Sequence, residues 1–323
     1  MMRLIASLCF LLALASPAVA HEVRPAFLQI TETEPLEYEF VWRRSIDAND
    51  LARISPIIPE DCSVTSAPLM SIDNQSRSET WTLKCESAIL ELEFSGLSGT
   101  SKEIFLDVRL IDRAPISTLL RSGSSRIDFD NAQSGTLEYF RIGIEHLIFG
   151  IDHVLFVICL FLFVRTPIVL IQTLTAFTLA HSLTLGLSVL EIAYLPQRPV
   201  EALIALSILF LCREYLLPEA MRSQLTKSAP WLMAFGLGLL HGFGFAGALG
   251  DIGLPKDQIL PALFLFNIGI EAGQLIIVAG LGVIGAIGYA VLRERNAYLE
   301  RSVVCVTGCY ATFWTIERVA LLV

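Results

Sequence analysis

The chain has 323 residues, 54% apolar and 17% charged, with a mean hydropathy of +0.63. That hydropathy predicts membrane spans and excludes an ordinary soluble enzyme, and the composition excludes a disordered or collagen-like chain. The net charge of −9 excludes nucleic acid as a partner, because phosphate recognition needs a basic face.

Residues 1–20, MMRLIASLCFLLALASPAVA, open on Arg3, continue as an apolar run and end on the small-x-small signal Ala18-Val19-Ala20. This pattern predicts a secretory signal peptide, with a mature chain starting at His21. The apolar run falls short of the ~20 residues a span needs. His21 has two readings. Its α-amino group and imidazole would chelate one Cu, Ni or Zn ion, or a histidine is simply tolerated after the cleavage site.

Residues 21–135 are expected as an exported, acidic domain. His21 to Glu138 carries 20 acidic and 11 basic residues, against 12 and 11 from Tyr139 to Val323. Leu36 to Phe40, Trp81 to Leu83, Ile89 to Phe94 and Ile104 to Leu110 alternate apolar and polar residues. Period-two patterning broken by Gly, Ser, Asn and Pro predicts an antiparallel β-sandwich. No Ser-His-Asp set, phosphate loop or CxxC appears here, which points to a binding or structural module. Cys62 and Cys85 either form a disulfide in an oxidising compartment or stay as two buried thiols.

Residues 136–323 are expected as a six-helix transmembrane domain. The apolar segments run about 139–164, 167–190, 199–217, 230–250, 259–291 and 302–322, each close to the ~20 residues that cross ~30 Å of hydrocarbon. The fifth is long enough to tilt or break. Basic residues at Arg165, Arg213, Arg222, Lys227, Arg293, Arg295 and Arg301 mark one set of loops as cytoplasmic. The opposite loops carry only Arg198 and Lys256. The expected location is a bacterial inner membrane with the N-terminal domain in the periplasm. Cys159, Cys212, Cys305 and Cys309 read as small core residues.

Polar residues inside spans are costly and therefore informative. Every histidine beyond His21 lies in a predicted span. Glu145-His146 recurs as Asp152-His153, seven residues on, so both imidazoles share one helix face. They stand ~10 Å apart along a straight helix, so they either meet on one ion through a kink or form two successive sites. Gly150 between them allows a kink. His181 lies in the second segment. In the fourth, His241 is flanked by the small-residue stripe Gly238, Gly242, Ala246, Gly250. In the fifth, Asn267, Glu271 and Gln274 form one polar face beside Gly269 and Gly273. Arg213 with Glu214 and Glu317 with Arg318 read as ion pairs. His146, Asp152, His153, His181, His241, Asn267 and Glu271 are the candidate metal ligands, a donor set that suits Ni²⁺, Co²⁺ or Zn²⁺. Only five Met argue against a thioether-lined Cu(I) route. Without a GxxxxGK[ST] motif, transport would be passive, gradient-driven or dependent on a partner.

Four stretches, His146 to His153, Thr175 to Ser182, Leu240 to Ala246 and Phe266 to Gln274, together resemble the HupE/UreJ family of hydrogenase- and urease-accessory membrane proteins. His21-Glu22-Val23-Arg24-Pro25-Ala26 resembles the start of members with an extra exported domain. The resemblance implies a nickel, or cobalt, permease whose first-helix His-Pro-x-x-Gly-x-Asp-His motif is central. His146, Gly150, Asp152 and His153 match it, and Leu147 stands in place of the proline. The expectation is thus a metal permease and not an enzyme, without a tightly bound cofactor. Ni²⁺ or Co²⁺ is the cargo, and the lipid bilayer and an accessory or metal-delivery protein are the partners. The alternatives are an intramembrane metal-dependent enzyme and a non-transporting scaffold whose exported domain binds a partner.

Overall fold

The computed structural model describes residues 26–45, 54–72, 76–98, 103–121, 123–131, 136–190, 192–193, 195–251, 259–292 and 297–322. The expected signal peptide, the His21 chelate, the segment at residues 21–25, and Lys256, Arg293 and Arg295 lie outside them. The chain divides into two compact units, one built on the strands within His21–Glu138 and one on the helices within Tyr139–Gly247 and Leu260–Val323.

The strand unit comprises β1 (Ala26–Glu34), β2 (Glu37–Ser45), β3 (Ser55–Ile57), β4 (Cys62–Val64), β5 (Leu69–Ile72), β6 (Ser76–Cys85), β7 (Glu91–Ser95), β8 (Ile104–Arg109), β9 (Ile116–Leu120) and β10 (Arg126–Asp128). One sheet runs β4-β6-β2-β1-β8-β9, with β5 also on β6, and a three-stranded sheet runs β10-β7-β3. The alternation read in the sequence is visible in β7, where Leu92 and Phe94 point inward and Glu91 and Glu93 outward. One apolar core draws on both sheets, including Leu28, Phe40, Trp42, Leu92, Phe94 and Ile127. Trp42 of β2 meets Phe94 of β7 with ring centroids 6.2 Å apart. Burial also pushes the Tyr38 phenol above its ordinary pKa.

Two expectations are corrected or decided here. The sheet is mixed and not antiparallel throughout, because β1 pairs β8 in parallel, Phe27 opposite Phe105. Neighbours in sequence pair antiparallel through short turns, but nothing local fixes the partner on a strand's other side. Cys62 and Cys85 stand opposite each other on β4 and β6 and form a disulfide, with Cα atoms 4.0 Å apart.

The helical unit comprises α1 (Thr136–Phe149), α2 (Ile151–Phe163), α3 (Pro167–Val189), α4 (Gln197–Leu216), α5 (Gln224–Ser228), α6 (Pro230–Asp251), α7 (Ile259–Leu292) and α8 (Ala297–Ala320). The first apolar segment is therefore two helices, meeting at 73°. Among the described residues, α3 and α7 are each long and apolar enough to cross a membrane, with mean hydropathies of 1.6 and 2.0, and α1 with α2 qualifies as one bent span. Both α4 and α8 carry charges near both ends, such as Arg198, Glu201, Arg213 and Glu214 in α4.

Polar contacts mark the two ends of this bundle. At one end Arg165, after α2, reaches Glu300 of α8 at 2.7 Å, and Tyr215 of α4 donates to the same carboxylate at 2.8 Å. Near it Glu214, fully buried, accepts from the Ser223 amide and the Thr226 hydroxyl, each at 2.8 Å, closing the turn between α4 and α6. The expected Arg213–Glu214 pair forms at 2.9 Å. At the other end Arg198 donates to the Leu321 carbonyl at 3.2 Å. Arg318 donates to the Glu201 carbonyl at 2.8 Å and lies over Trp314, partners other than the expected Glu317.

Small residues let backbones meet. A Cβ on Gly143 of α1 would strike the Phe266 carbonyl of α7, and one on Gly269 would strike the Phe140 carbonyl. Gly238 and Gly242 of α6 sit in the same way against the Phe177 and His181 carbonyls of α3. Cys159 and Cys212 are buried as expected, their sulfurs 3.6 Å apart. Cys305 is partly exposed and Cys309 exposed, because their side of α8 faces away from the bundle.

Candidate metal pathway

The break between α1 and α2 builds the centre of the site. Gly150 adopts an extended conformation, φ −72° and ψ 94°. Its amide still donates to the His146 carbonyl at 2.9 Å, and its carbonyl accepts from the Val154 amide at 2.9 Å. A Cβ on Gly150 would lie 2.6 Å from the His146 oxygen and 2.9 Å from His153 Nδ1. The chain therefore turns tightly where only hydrogen fits, and it does so with Leu147 in the place of a proline. The bend brings the His146 and His153 rings to 4.8 Å between centroids, whereas a straight helix would leave them ~10 Å apart.

Two further helices add imidazoles. His181 of α3 stands 6.3 Å from His146 and 6.1 Å from His153. His241 of α6 stands 5.3 Å from His153. His181 is fully buried, and His153 and His241 are 6% and 1% exposed. Aromatic rings wall the group. Phe177 lies 6.1 Å from His181 and 5.1 Å from His241, Phe156 lies 5.2 Å from His241, and Phe266 lies 5.5 Å from His146.

The hydrogen bonds sort the nitrogens. Asp152 Oδ1 accepts from both the backbone amide and Nδ1 of His153, at 2.9 and 3.0 Å. His241 Nε2 stands 3.1 Å from Ser207 Oγ. His153 Nε2, both ring nitrogens of His181 and His241 Nδ1 are buried with no hydrogen-bond partner in the protein. An unpartnered buried polar atom costs about 1–3 kcal/mol, so a concentration of them in one place calls for an explanation. Among the described residues, no three His, Cys, Asp or Glu side chains are arranged to hold a metal ion as they stand.

The α7 residues follow the α3–α7 seam. Asn267 Nδ2 donates to the Leu263 carbonyl at 2.7 Å, and its Oδ1 is buried without a protein partner. Glu271 Oε1 accepts from Thr175 at 2.6 Å, and Gln274 Oε1 accepts from Thr178 at 3.1 Å. Of the predicted site residues, His146, Asp152, His153, His181 and His241 come together, while the polar ends of Asn267 and Glu271 tie α7 to its own turn and to α3. The residue reading missed Ser207, Thr175 and the phenylalanine walls. A lone serine or phenylalanine in an apolar helix carries no local signal. Thr175 and Phe177 lie inside a stretch already singled out for its histidine. Glu145 pairs with Arg141 at 3.0 Å.

A family model described as HupE / UreJ protein matches residues 124–318, which include every helix of the site. No curated protein and no solved structure matches the chain. The match extends over more than half of the sequence, and the chain belongs to the HupE / UreJ protein family.

Proposed function

We propose that this protein is a permease that carries a divalent transition-metal ion, nickel or cobalt, across a bacterial inner membrane. Family membership supports the coarser statement, a membrane-associated role in metal transport or as an accessory to it. The observation that carries the finer one is the gathering of four imidazoles from α1, α2, α3 and α6. Neutral imidazole is a borderline nitrogen donor that suits Ni²⁺ and Co²⁺ and discriminates against Mg²⁺ and Ca²⁺, which prefer oxygen.

In this reading six spans form the membrane domain, with α1 and α2 as one bent span. Residues 1–20 are cleaved and residues 21–135 are exported. The end of the bundle that holds Arg165, Tyr215 and Glu300 then faces the cytoplasm, in line with the basic loops. Asp152 acts through His153. An ionised carboxylate only accepts hydrogen bonds, so it draws the proton of His153 to Nδ1 and leaves Nε2 as the donor to the ion. His181 and His241 take the ion onward. Asn267, whose Oδ1 has no protein partner, and Glu271 line the α7 side. Closing on the ion takes side-chain rotation, and ligation of this loose kind lets cargo leave as well as enter.

The test is uptake of nickel, cobalt and zinc into proteoliposomes, for the parent protein and for His146→Ala and His153→Ala. The proposal expects flux above protein-free lipid that falls to background in both variants. Unchanged flux in both would end it. A single tightly held ion with no flux would favour an intramembrane metal-dependent enzyme instead.

A further inference from the structure

Ser207 lies on α4, a helix that brings no histidine to the cluster, yet its hydroxyl stands 3.1 Å from His241 Nε2. The same oxygen stands 2.7 Å from the Ile204 carbonyl oxygen, one turn earlier. Ser207 is itself buried, at 4% exposure. A serine hydroxyl has one proton to donate and two lone pairs with which to accept. A carbonyl oxygen can only accept, so an oxygen–oxygen approach of 2.7 Å is attractive only with a proton between the two atoms. The hydroxyl proton is thereby committed to Ile204. What remains for His241 is a lone pair of Oγ, and a lone pair binds only a ring nitrogen that carries hydrogen.

We infer that Ser207 is a positioning residue that holds neutral His241 with its proton on Nε2 and its lone pair on Nδ1. Nδ1 is the nitrogen of that ring that is buried without a protein partner, and the ring stands 5.3 Å from that of His153. The opposite tautomer would set Nε2, Oγ and the Ile204 oxygen as three acceptors around one proton, and would spend the lone pair on serine. The two fixed rings are complementary. Asp152 holds the proton of His153 on Nδ1, and Ser207 holds that of His241 on Nε2. An ion passing between them meets Nε2 of one and Nδ1 of the other. The inference deepens the permease reading and rests on it for its purpose, although the tautomer itself is a property of the resting protein.

The test uses the full-length chain in lipid nanodiscs, labelled with ¹⁵N-histidine. Ring-nitrogen NMR separates protonated from bare nitrogens, and His241→Gln identifies the His241 signals by difference. The expected result is a His241 bare at Nδ1 and protonated at Nε2. Ser207→Ala should admit the other tautomer, and Ser207→Thr, which keeps the hydroxyl, should restore the first. In nickel uptake Ser207→Ala should raise KM about tenfold, the lower end of what loss of such a partner costs in metal affinity, and Ser207→Thr should recover it. A parent protein with His241 protonated at Nδ1 overturns the inference, even if no Ser207 variant can be folded. So does a Ser207→Ala protein that keeps the parent tautomer. The two proposals separate cleanly. Nε2 protonation with no metal flux defeats the permease and upholds Ser207, and flux with Nδ1 protonation does the reverse.

Discussion

Asp152 accepts two hydrogen bonds from a single residue, its backbone amide and its ring, at the first turn of α2. A carboxylate in that position fixes which imidazole nitrogen is free and which way the ring points. Asp152→Asn keeps the size but removes the charge, and the amide accepts more weakly. The expected effect is a 10- to 100-fold loss of nickel affinity, read as a rise in the KM of uptake with the protein still monodisperse. An unchanged KM would show that the carboxylate does not act through His153. At this scale much of the site was legible. Histidine and carboxylate are rare in apolar segments, so His146, Asp152, His153, His181 and His241 stood out. Ser207 did not, because a serine in a membrane-type helix ordinarily bonds its own backbone. Only the three-dimensional neighbour shows that the bond to Ile204 decides the state of a ring on α6.

Gly150 turns two helices into one site, and the glycines of α1, α6 and α7 hold the helices that surround it. Gly143→Ala places a methyl against the Phe266 backbone, and overpacking of that kind costs about 1–3 kcal/mol. Gly236→Ala meets nothing within 4 Å and should be neutral or stabilise by about 0.5–1 kcal/mol, the ordinary gain of alanine over glycine in a helix. The half-life of monodisperse protein at a fixed raised temperature compares the two. It should shorten for Gly143→Ala and not for Gly236→Ala. The disulfide offers a second comparison in the strand unit. Cys62 and Cys85 are 23 residues apart, and closing such a loop stabilises by about 3 kcal/mol. A reductant should therefore lower the unfolding temperature of the parent protein and leave that of the Cys62→Ala, Cys85→Ala double variant where it is. The alternating strands were legible from period two. The parallel β1–β8 pair was not, because it joins residues 26–31 to 104–109, and the register of so distant a pair has no local sequence mark. The bend between the two α1–α2 histidines, by contrast, was legible in Gly150. Their spacing measures distance along a straight helix, whereas the structure bends at the glycine.

At the scale of the whole chain, polar side chains gather at the two ends of the helical unit. The Arg165, Tyr215 and Glu300 group joins the end of α2, the end of α4 and the start of α8. The permease reading assigns this end to the cytoplasm. A membrane-impermeant maleimide should then label Lys227→Cys in inside-out vesicles and not in intact right-side-out vesicles, beyond the reaction of the parent's own exposed Cys309. Labelling from outside would reverse the topology. Sequence hydropathy indicated six apolar segments, and helices occupy all of them. Among the described residues, length and apolarity qualify α3, α7 and the bent α1–α2 pair as spans, and the charged ends of α4 and α8 weigh against those two when each helix is judged alone.

The central claim is that the imidazoles gathered around the α1–α2 break are what the metal touches. X-ray absorption on nickel-loaded, full-length protein tests it most directly, because imidazole rings give a distinctive outer-shell scattering pattern. The account predicts nitrogen ligation with that pattern in the parent, and its loss or weakening in His153→Ala and His241→Ala. A shell of oxygen atoms alone, or a spectrum that neither substitution alters, would contradict it.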